Sequence, residues 1–431
     1  MRFISTAGTA QPADLKTALF QGLAPDGGLY LPERLAPLAP RALSALRGAT
    51  WERVALTVAQ HLLQDDLPAS QIEQVVTEAL DFSIPLVARG DGRYSLELFH
   101  GPTCAFKDVG ARFMARLMAR FHAHNDPPLT VLVATSGDTG SAVAQAFLNL
   151  PGSRVVVLYP EGKVSPLQER QFTTLGGNIT ALAVAGTFDD CQRLVKEAFA
   201  DPGLRALRLT SANSINIGRL LPQIFYYFHA WAQLPGTTGD LIVSVPSGNF
   251  GNLTAGLMAK RLGLPITRFV AATNVNDVVP RYLETGAFTP RPSRTTLSNA
   301  MDVGNPSNFA RMLALYDADA GRMRGDVEAH AFTDDQTRAA ISRVFADRGD
   351  VLDPHSAVAY LGLTQAMSDQ RPATGVFLAT AHPAKFADIV EPVIGRKVDL
   401  PPRLAQCLTR EPQLERVGST LGDITRVLRR A

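Results

Sequence analysis

Apolar residues recur at helical spacing near the start of the chain, at Trp51, Val54, Ala55, Val58 and Leu62, and a turn-rich run, Ala24 to Gly28, stands apart from them. Together they predict a small N-terminal unit over residues 1–95. Beyond it the texture changes to short β-branched and leucine-rich runs: Leu129 to Ala134, Val155 to Tyr159, Ile179 to Val184, Leu241 to Val245, Phe269 to Ala272 and Val376 to Ala379. Runs that are apolar at nearly every position predict strands covered on both faces. Helix-compatible stretches lie between them, among them Ser141 to Leu148, Phe188 to Ala200, Ile217 to Ala232 and Leu253 to Leu262. This alternation predicts an α/β fold with a largely parallel sheet and right-handed crossovers, whose ligands bind beyond the carboxyl ends of the strands. Pro290 to Thr296 reads as a mobile loop, and residues 396–431, with Arg429 and Arg430, as a solvated helical tail.

Length changes the picture by requiring more than one packed unit. Of 431 residues, 46% are hydrophobic, and single cores rarely grow past about 250 to 300 residues. Residues 96–395 are the expected catalytic core. The formal charge of +2 comes from 42 basic and 40 acidic side chains spread along the chain. With no basic arm or acidic tail, a small-molecule partner is expected rather than nucleic acid or a membrane. Cys104, Cys191 and Cys407 show no C-x-x-C spacing and the histidines form no H-E-x-x-H pair, so neither a disulfide framework nor a metal site is predicted. The N-terminus lacks an apolar signal core and no run of about 18 apolar residues occurs, which points to a cytoplasmic protein. Only seven of the 42 basic residues are lysines. Arginine serves where charge alone is needed, so a lysine inside a site is there for amine chemistry.

Two strand-to-helix junctions carry candidate chemistry. In the first, Thr130 to Thr135 is followed by Ser136, Gly137, Asp138, Thr139 and Gly140. Glycines permit the sharp turn, and hydroxyls and free N–H groups at a helix start favour an anion. In the second, Leu241 to Val245 leads into Pro246, Ser247, Gly248, Asn249, Phe250, Gly251 and Asn252. Two glycines three apart can aim successive amides at one point, a common way to cradle a phosphate. Ordinary helix caps explain either loop taken alone. Lys107 lies among apolar and small residues at a predicted helix start, where burial lowers an amine's pKa and makes it a nucleophile and base. A surface lysine paired with Asp108 is the plainer alternative.

The segment Glu97 to Arg116, E-L-F-H-G-P-T-C-A-F-K-D-V-G-A-R-F-M-A-R, resembles the cofactor-lysine motif of the threonine synthases, pyridoxal-phosphate enzymes of the tryptophan-synthase-β-like fold type II. Further blocks resemble the same family: Gln21 to Tyr30, Ala134 to Ser141, Tyr159 to Gln168, Ser211 to Arg219, Val245 to Asn252, Ala271 to Asp277, Leu297 to Val303 and Thr380 to Phe386. Many relatives read S-T-R-G where this chain has Ser5, Thr6, Ala7 and Gly8.

The resemblance implies two doubly wound αβ subdomains with a small N-terminal unit, and pyridoxal 5'-phosphate as cofactor. Lys107 would hold it as a Schiff base; Ser247, Gly248, Asn249, Phe250, Gly251 and Asn252 would moor its phosphate; Thr380 would bond the pyridine nitrogen, unless it caps the helix ahead of His382. Ser136, Gly137, Asp138, Thr139 and Gly140 would face the substrate's carboxylate. Candidates for the substrate's phosphate are Lys163, Ser165, Gln168, Asn213, Ser214, Asn216 and Arg219, with surface or capping roles the alternative for each. The implied reaction turns O-phosphohomoserine and water into threonine and phosphate, with Lys107 shuttling protons, in a monomer or homodimer. A related phospho-lyase would release 2-oxobutyrate and ammonia instead, and a silent binding protein that kept the fold would do neither.

Overall fold

A computed structural model describes residues 1–123, 126–236, 239–368 and 372–430. The larger of two mainly parallel sheets runs in the order Val327–Ala331, Arg268–Thr273, Asp240–Pro246, Ala373–Ala379, Arg93–Glu97 and Leu86–Ala88, with only the last pair antiparallel. The second runs Glu415–Val417, Ile179–Val184, Ser153–Pro160, Leu129–Ala134 and Leu209–Thr210, parallel throughout. Every strand that the apolar runs predict is present. Leu129–Ala134 is buried at all six positions, as a strand covered by helices on both faces must be.

The N-terminal segment forms a three-stranded antiparallel sheet, Ala13–Asp14, Arg2–Ser5 and Tyr30–Pro32, followed by helices Trp51–Leu63 and Ala69–Ala79. Thr50 caps the first helix by accepting the Arg53 N–H, and Trp51, Val54, Ala55, Val58 and Leu62 form its buried face. This face shares one hydrophobic cluster with Val131 of the second sheet and Val243 of the larger one, so the unit has no core of its own. The limit expected after residue 95 falls inside the strand Arg93–Glu97.

Three expectations are corrected. The helix expected over residues 217–232 is two helices, Ile217–Leu220 and Gln223–Gln233, because Pro222 has no N–H to continue the ladder. The loop around Pro290 to Thr296 is tied down rather than loose: Asp302 accepts the Thr296 N–H at 2.9 Å and its hydroxyl at 2.7 Å, and Asn276 accepts the Arg294 N–H at 2.8 Å. The C-terminal segment is no solvated tail. Glu415–Val417 extends the second sheet beside Leu182 to Val184. Helix Leu421–Leu428, closed by a Thr420–Asp423 capping box, buries Ile424, Val427 and Leu428 against Leu132, Leu182 and Leu194.

Candidate active site

The carboxyl ends of three adjacent strands in the larger sheet converge. Asp240–Pro246 runs into the Ser247–Asn252 loop, and its neighbour Ala373–Ala379 runs into Thr380. The chain beyond Arg93–Glu97 then crosses beside Thr380: the Leu98 N–H donates to Ala379 O at 2.9 Å and the Phe106 N–H to Thr380 O at 2.8 Å. Helix Lys107–Phe121 starts at that point, which sets Lys107 beside Thr380. Thr380 is buried, and the following turn is capped by His382, so Thr380 is not itself a cap.

Asp108 does not pair with Lys107. It is buried, and its oxygens accept the Thr103 N–H at 2.9 Å and hydroxyl at 2.7 Å. The surface ion pair that Asp108 suggested is therefore absent. Desolvation drives the Lys107 amine down to about 8, helped by the positive charges of Arg219 and Lys385 and opposed by Asp138. An ordinary lysine, near 10.4, is almost wholly protonated at neutral pH; this one offers a usable neutral fraction.

Asp138 is buried at the start of helix Asp138–Phe147. Burial opposes its charge, but Lys385, Lys107 and a hydrogen bond from Gln168 outweigh that and hold the carboxyl well below the usual range. Lys385, fully buried, pairs with Asp138 at 2.6 Å and donates to Thr103 O at 2.8 Å, while Gln168 Nε2 donates to Asp138 at 2.7 Å. This pair joins the first helix of one sheet to the segment after the last strand of the other. Sequence patterns did not give Lys385 a role, although it is one of only seven lysines and lies in a quoted block.

The Ser247–Asn252 loop is shaped by close contacts. A Cβ on Gly248 would lie 2.6 Å from Met301 Cα and 2.9 Å from Ala300 O, both backbone atoms that cannot swing aside. Phe250 holds the left-handed conformation, φ 60°, at the point where helix Gly251–Arg261 begins. The Ser247 hydroxyl donates to Val245 O at 2.9 Å. The Asn249 side chain braces the loop, with Nδ2 donating to Ser214 Oγ at 2.7 Å and Oδ1 accepting the Ser307 N–H at 2.6 Å. Asn252 Oδ1 accepts from the hydroxyls of Tyr226 and Tyr227, leaving its buried Nδ2 without a protein partner. A glycine-lined helix start with an unmet buried donor fits a phosphate.

On the facing sheet, Thr135 Oγ1 accepts the N–H groups of Gly137 and Gly140, at 3.0 Å and 2.8 Å. Asp138 and Thr139, first in their helix, have amides with no intrahelical acceptor. Among the further candidates, Asn213 Oδ1 and Arg219 Nε are buried and unpartnered, and Arg219 bears electrostatically on Lys107. Asn216 is engaged within the fold: it caps the Gly218 N–H, and its Nδ2 donates to Leu19 O and Ser211 O. Ser165 caps helix Pro166–Thr173, Lys163 is exposed, and Ser214 Oγ is taken by Asn249.

A desolvated lysine amine and a glycine-lined anion loop, at the carboxyl ends of parallel strands, define a pyridoxal-phosphate enzyme of fold type II; a family model described as pyridoxal-phosphate dependent enzyme matches residues 94–381. Models for the threonine synthase N terminus and C-terminal region match residues 2–80 and 356–427. The chain is 48% identical over 391 residues to threonine synthase of Escherichia coli strain K12, covering 90% of each protein. The crystal structure of threonine synthase from Escherichia coli superposes with a TM-score of 0.92 at 43% identity, covering 99% of both chains. The PLP-bound enzyme from Brucella melitensis does so with 0.93 at 38% identity, covering 100% of both. The chain belongs to the threonine synthase family.

Proposed function

We propose that this protein converts O-phosphohomoserine and water into L-threonine and phosphate, as the last step of threonine biosynthesis. The observation that carries the reading is the buried Lys107 amine, lowered to about 8, beside Thr380 and at the same end of the larger sheet as the glycine-lined loop, in a chain of this family. When bound, pyridoxal phosphate supplies the electron sink that stabilises negative charge at the substrate's Cα. Lys107 would hold the cofactor covalently through its neutral amine, and the same amine would remove and return protons along the substrate's carbon chain. The backbone N–H groups of Gly248 to Asn252, with Asn252 Nδ2, moor the cofactor's phosphate. The Thr380 hydroxyl would bond the pyridine nitrogen and, being neutral, would not favour its protonation.

The Asp138 and Thr139 amides, with the Ser136 and Thr139 hydroxyls, receive the substrate's carboxylate. The Asp138 side chain takes no part in that, since Lys385 and Gln168 occupy it. Arg219, whose buried Nε is an unmet donor, stands nearest to the requirements of the substrate's phosphate; the unmet atom of Asn213 is its acceptor oxygen, since its Nδ2 donates to Ala134 O, and does not suit an anion. The near-balanced charge suits a small-molecule enzyme, and the unpaired Cys104, Cys191 and Cys407 suit the cytoplasm. No helix among the described residues is long and apolar enough to cross a membrane.

Purified protein loaded with cofactor and given O-phosphohomoserine releases threonine and phosphate in equal amounts. Release of 2-oxobutyrate and ammonia in place of threonine assigns it instead to the phospho-lyases.

Lys385→Met tests the electrostatics around Lys107. A protonated amine is no nucleophile, so wild-type cofactor uptake rises with pH through about 8 and levels off above it. Without Lys385, Asp138 turns its charge on Lys107 alone and raises the amine's pKa, so the uptake midpoint moves to higher pH. Breaking a buried pair also costs about 3–5 kcal/mol of stability. A variant with the wild-type midpoint removes Lys385 from this role.

A further inference from the structure

A second set of buried polar groups flanks the anion loop, outside every motif in the sequence. Arg311, in helix Phe309–Leu315, is 0% exposed. Its guanidinium gathers two distant segments: Nε donates to Tyr30 O at 2.8 Å, while Nη2 donates to Ile215 O at 2.6 Å and Nη1 to the adjacent Ser214 O at 3.2 Å. Nη1 also donates to Asn308 Oδ1 at 2.6 Å. An arginine only donates, so Asn308 must turn its carbonyl oxygen toward it, and this fixes where the amide nitrogen lies. That nitrogen, Nδ2, is buried and has no protein partner. It sits beside Gly251, where a Cβ would come within 3.3 Å of it. Asn249, whose Oδ1 accepts the Ser307 N–H, ties the same segment to the loop.

A buried donor without an acceptor is costly and uncommon in native proteins. Asn252 repeats the arrangement, its oxygen held by Tyr226 and Tyr227 and its Nδ2 unmet. We infer that Asn308 Nδ2, oriented by Arg311, is a further donor to the cofactor phosphate held at the Gly248–Asn252 loop. The inference rests on the proposed mooring role of that loop. Through Tyr30 and Ile215, Arg311 also links the shape of this site to the N-terminal unit and to the segment before helix Ile217–Leu220.

Asn308→Asp is the discriminating variant. A carboxylate still accepts from Arg311, more strongly than the amide does, so the fold is kept. The group beside Gly251, however, changes from a donor to an anionic acceptor. Asn308→Ala removes the donor without adding charge. Equilibrium binding of pyridoxal phosphate, and of pyridoxal, which lacks the phosphate, is measured for both variants, with circular dichroism of the cofactor-free proteins to verify folding. Pyridoxal phosphate affinity is expected to fall about tenfold in Asn308→Ala and about a hundredfold or more in Asn308→Asp, while pyridoxal affinity stays within about twofold. An unchanged ratio of the two affinities in folded variants overturns the role of Asn308. Gly248→Asp separates the two failures. If it loses the cofactor while the Asn308 variants keep the wild-type ratio, only the role of Asn308 falls; if it binds normally, the loop assignment falls as well.

Discussion

Lys107→Ala yields a folded protein with turnover reduced by at least about four orders of magnitude. It also yields a protein that borohydride no longer fixes to its cofactor. Folding survives because alanine is the best helix former and Lys107 opens helix Lys107–Phe121 with no ion pair to Asp108, which is spent on Thr103. Chemistry is expected not to survive, because in the proposed role one amine both holds the cofactor and moves protons, and no nearby group replaces it. Lys385 is buried in its pair with Asp138 at 2.6 Å, and Arg219 cannot form an imine. Lys107→Arg separates charge from nucleophilicity: it keeps a cation in place and is expected to be as inactive as the alanine variant. Turnover assays and mass spectrometry after borohydride treatment check both. An alanine variant that still turns over, or still traps the cofactor covalently, removes Lys107 from its role.

Gly248→Asp is expected to lower pyridoxal phosphate affinity by at least about a thousandfold. Two effects act together. Any Cβ at this position meets Met301 Cα at 2.6 Å and Ala300 O at 2.9 Å, so the loop must shift. A carboxylate beside the phosphate that this loop is proposed to moor adds repulsion, about 4 kcal/mol for one pair of unit charges about 4 Å apart at the effective dielectric of a protein site, or about a thousandfold in affinity. Gly248→Ala carries the steric effect alone and is expected to lie between wild type and Gly248→Asp. Equilibrium dialysis of the cofactor measures all three, and equal affinities exclude the loop as its mooring.

The parts of the fold that local pattern encodes were legible in the sequence. Continuous apolar runs gave the strands from Leu129–Ala134 to Ala373–Ala379, since burial on both faces leaves no room for alternation. The glycine-lined loop was legible because its residues are contiguous. Lys107 was legible because lysine is scarce in this chain and its neighbours are apolar. What was not legible depends on residues far apart along the chain. Asp138 meets Lys385, and Asn308 and Arg311 meet Tyr30, Ser214 and Gly251, only after two sheets and the N-terminal unit have packed. Glu415–Val417 becomes a strand through the open edge of Ile179–Val184 rather than through its own composition. The burial of Ile424, Val427 and Leu428 did have a signal, apolar residues three and four apart, which the basic Arg429 and Arg430 beside them obscured. Pro222 likewise marked the break in the predicted helix.

Turnover of O-phosphohomoserine in heavy-oxygen water reads directly which bond breaks and where water enters. If phosphate leaves by cleavage of the Cγ–O bond and water adds at Cβ, mass spectrometry finds one heavy oxygen in the threonine hydroxyl and none in the phosphate. Heavy oxygen in the phosphate, with homoserine as the organic product, means attack at phosphorus and contradicts the proposed reaction.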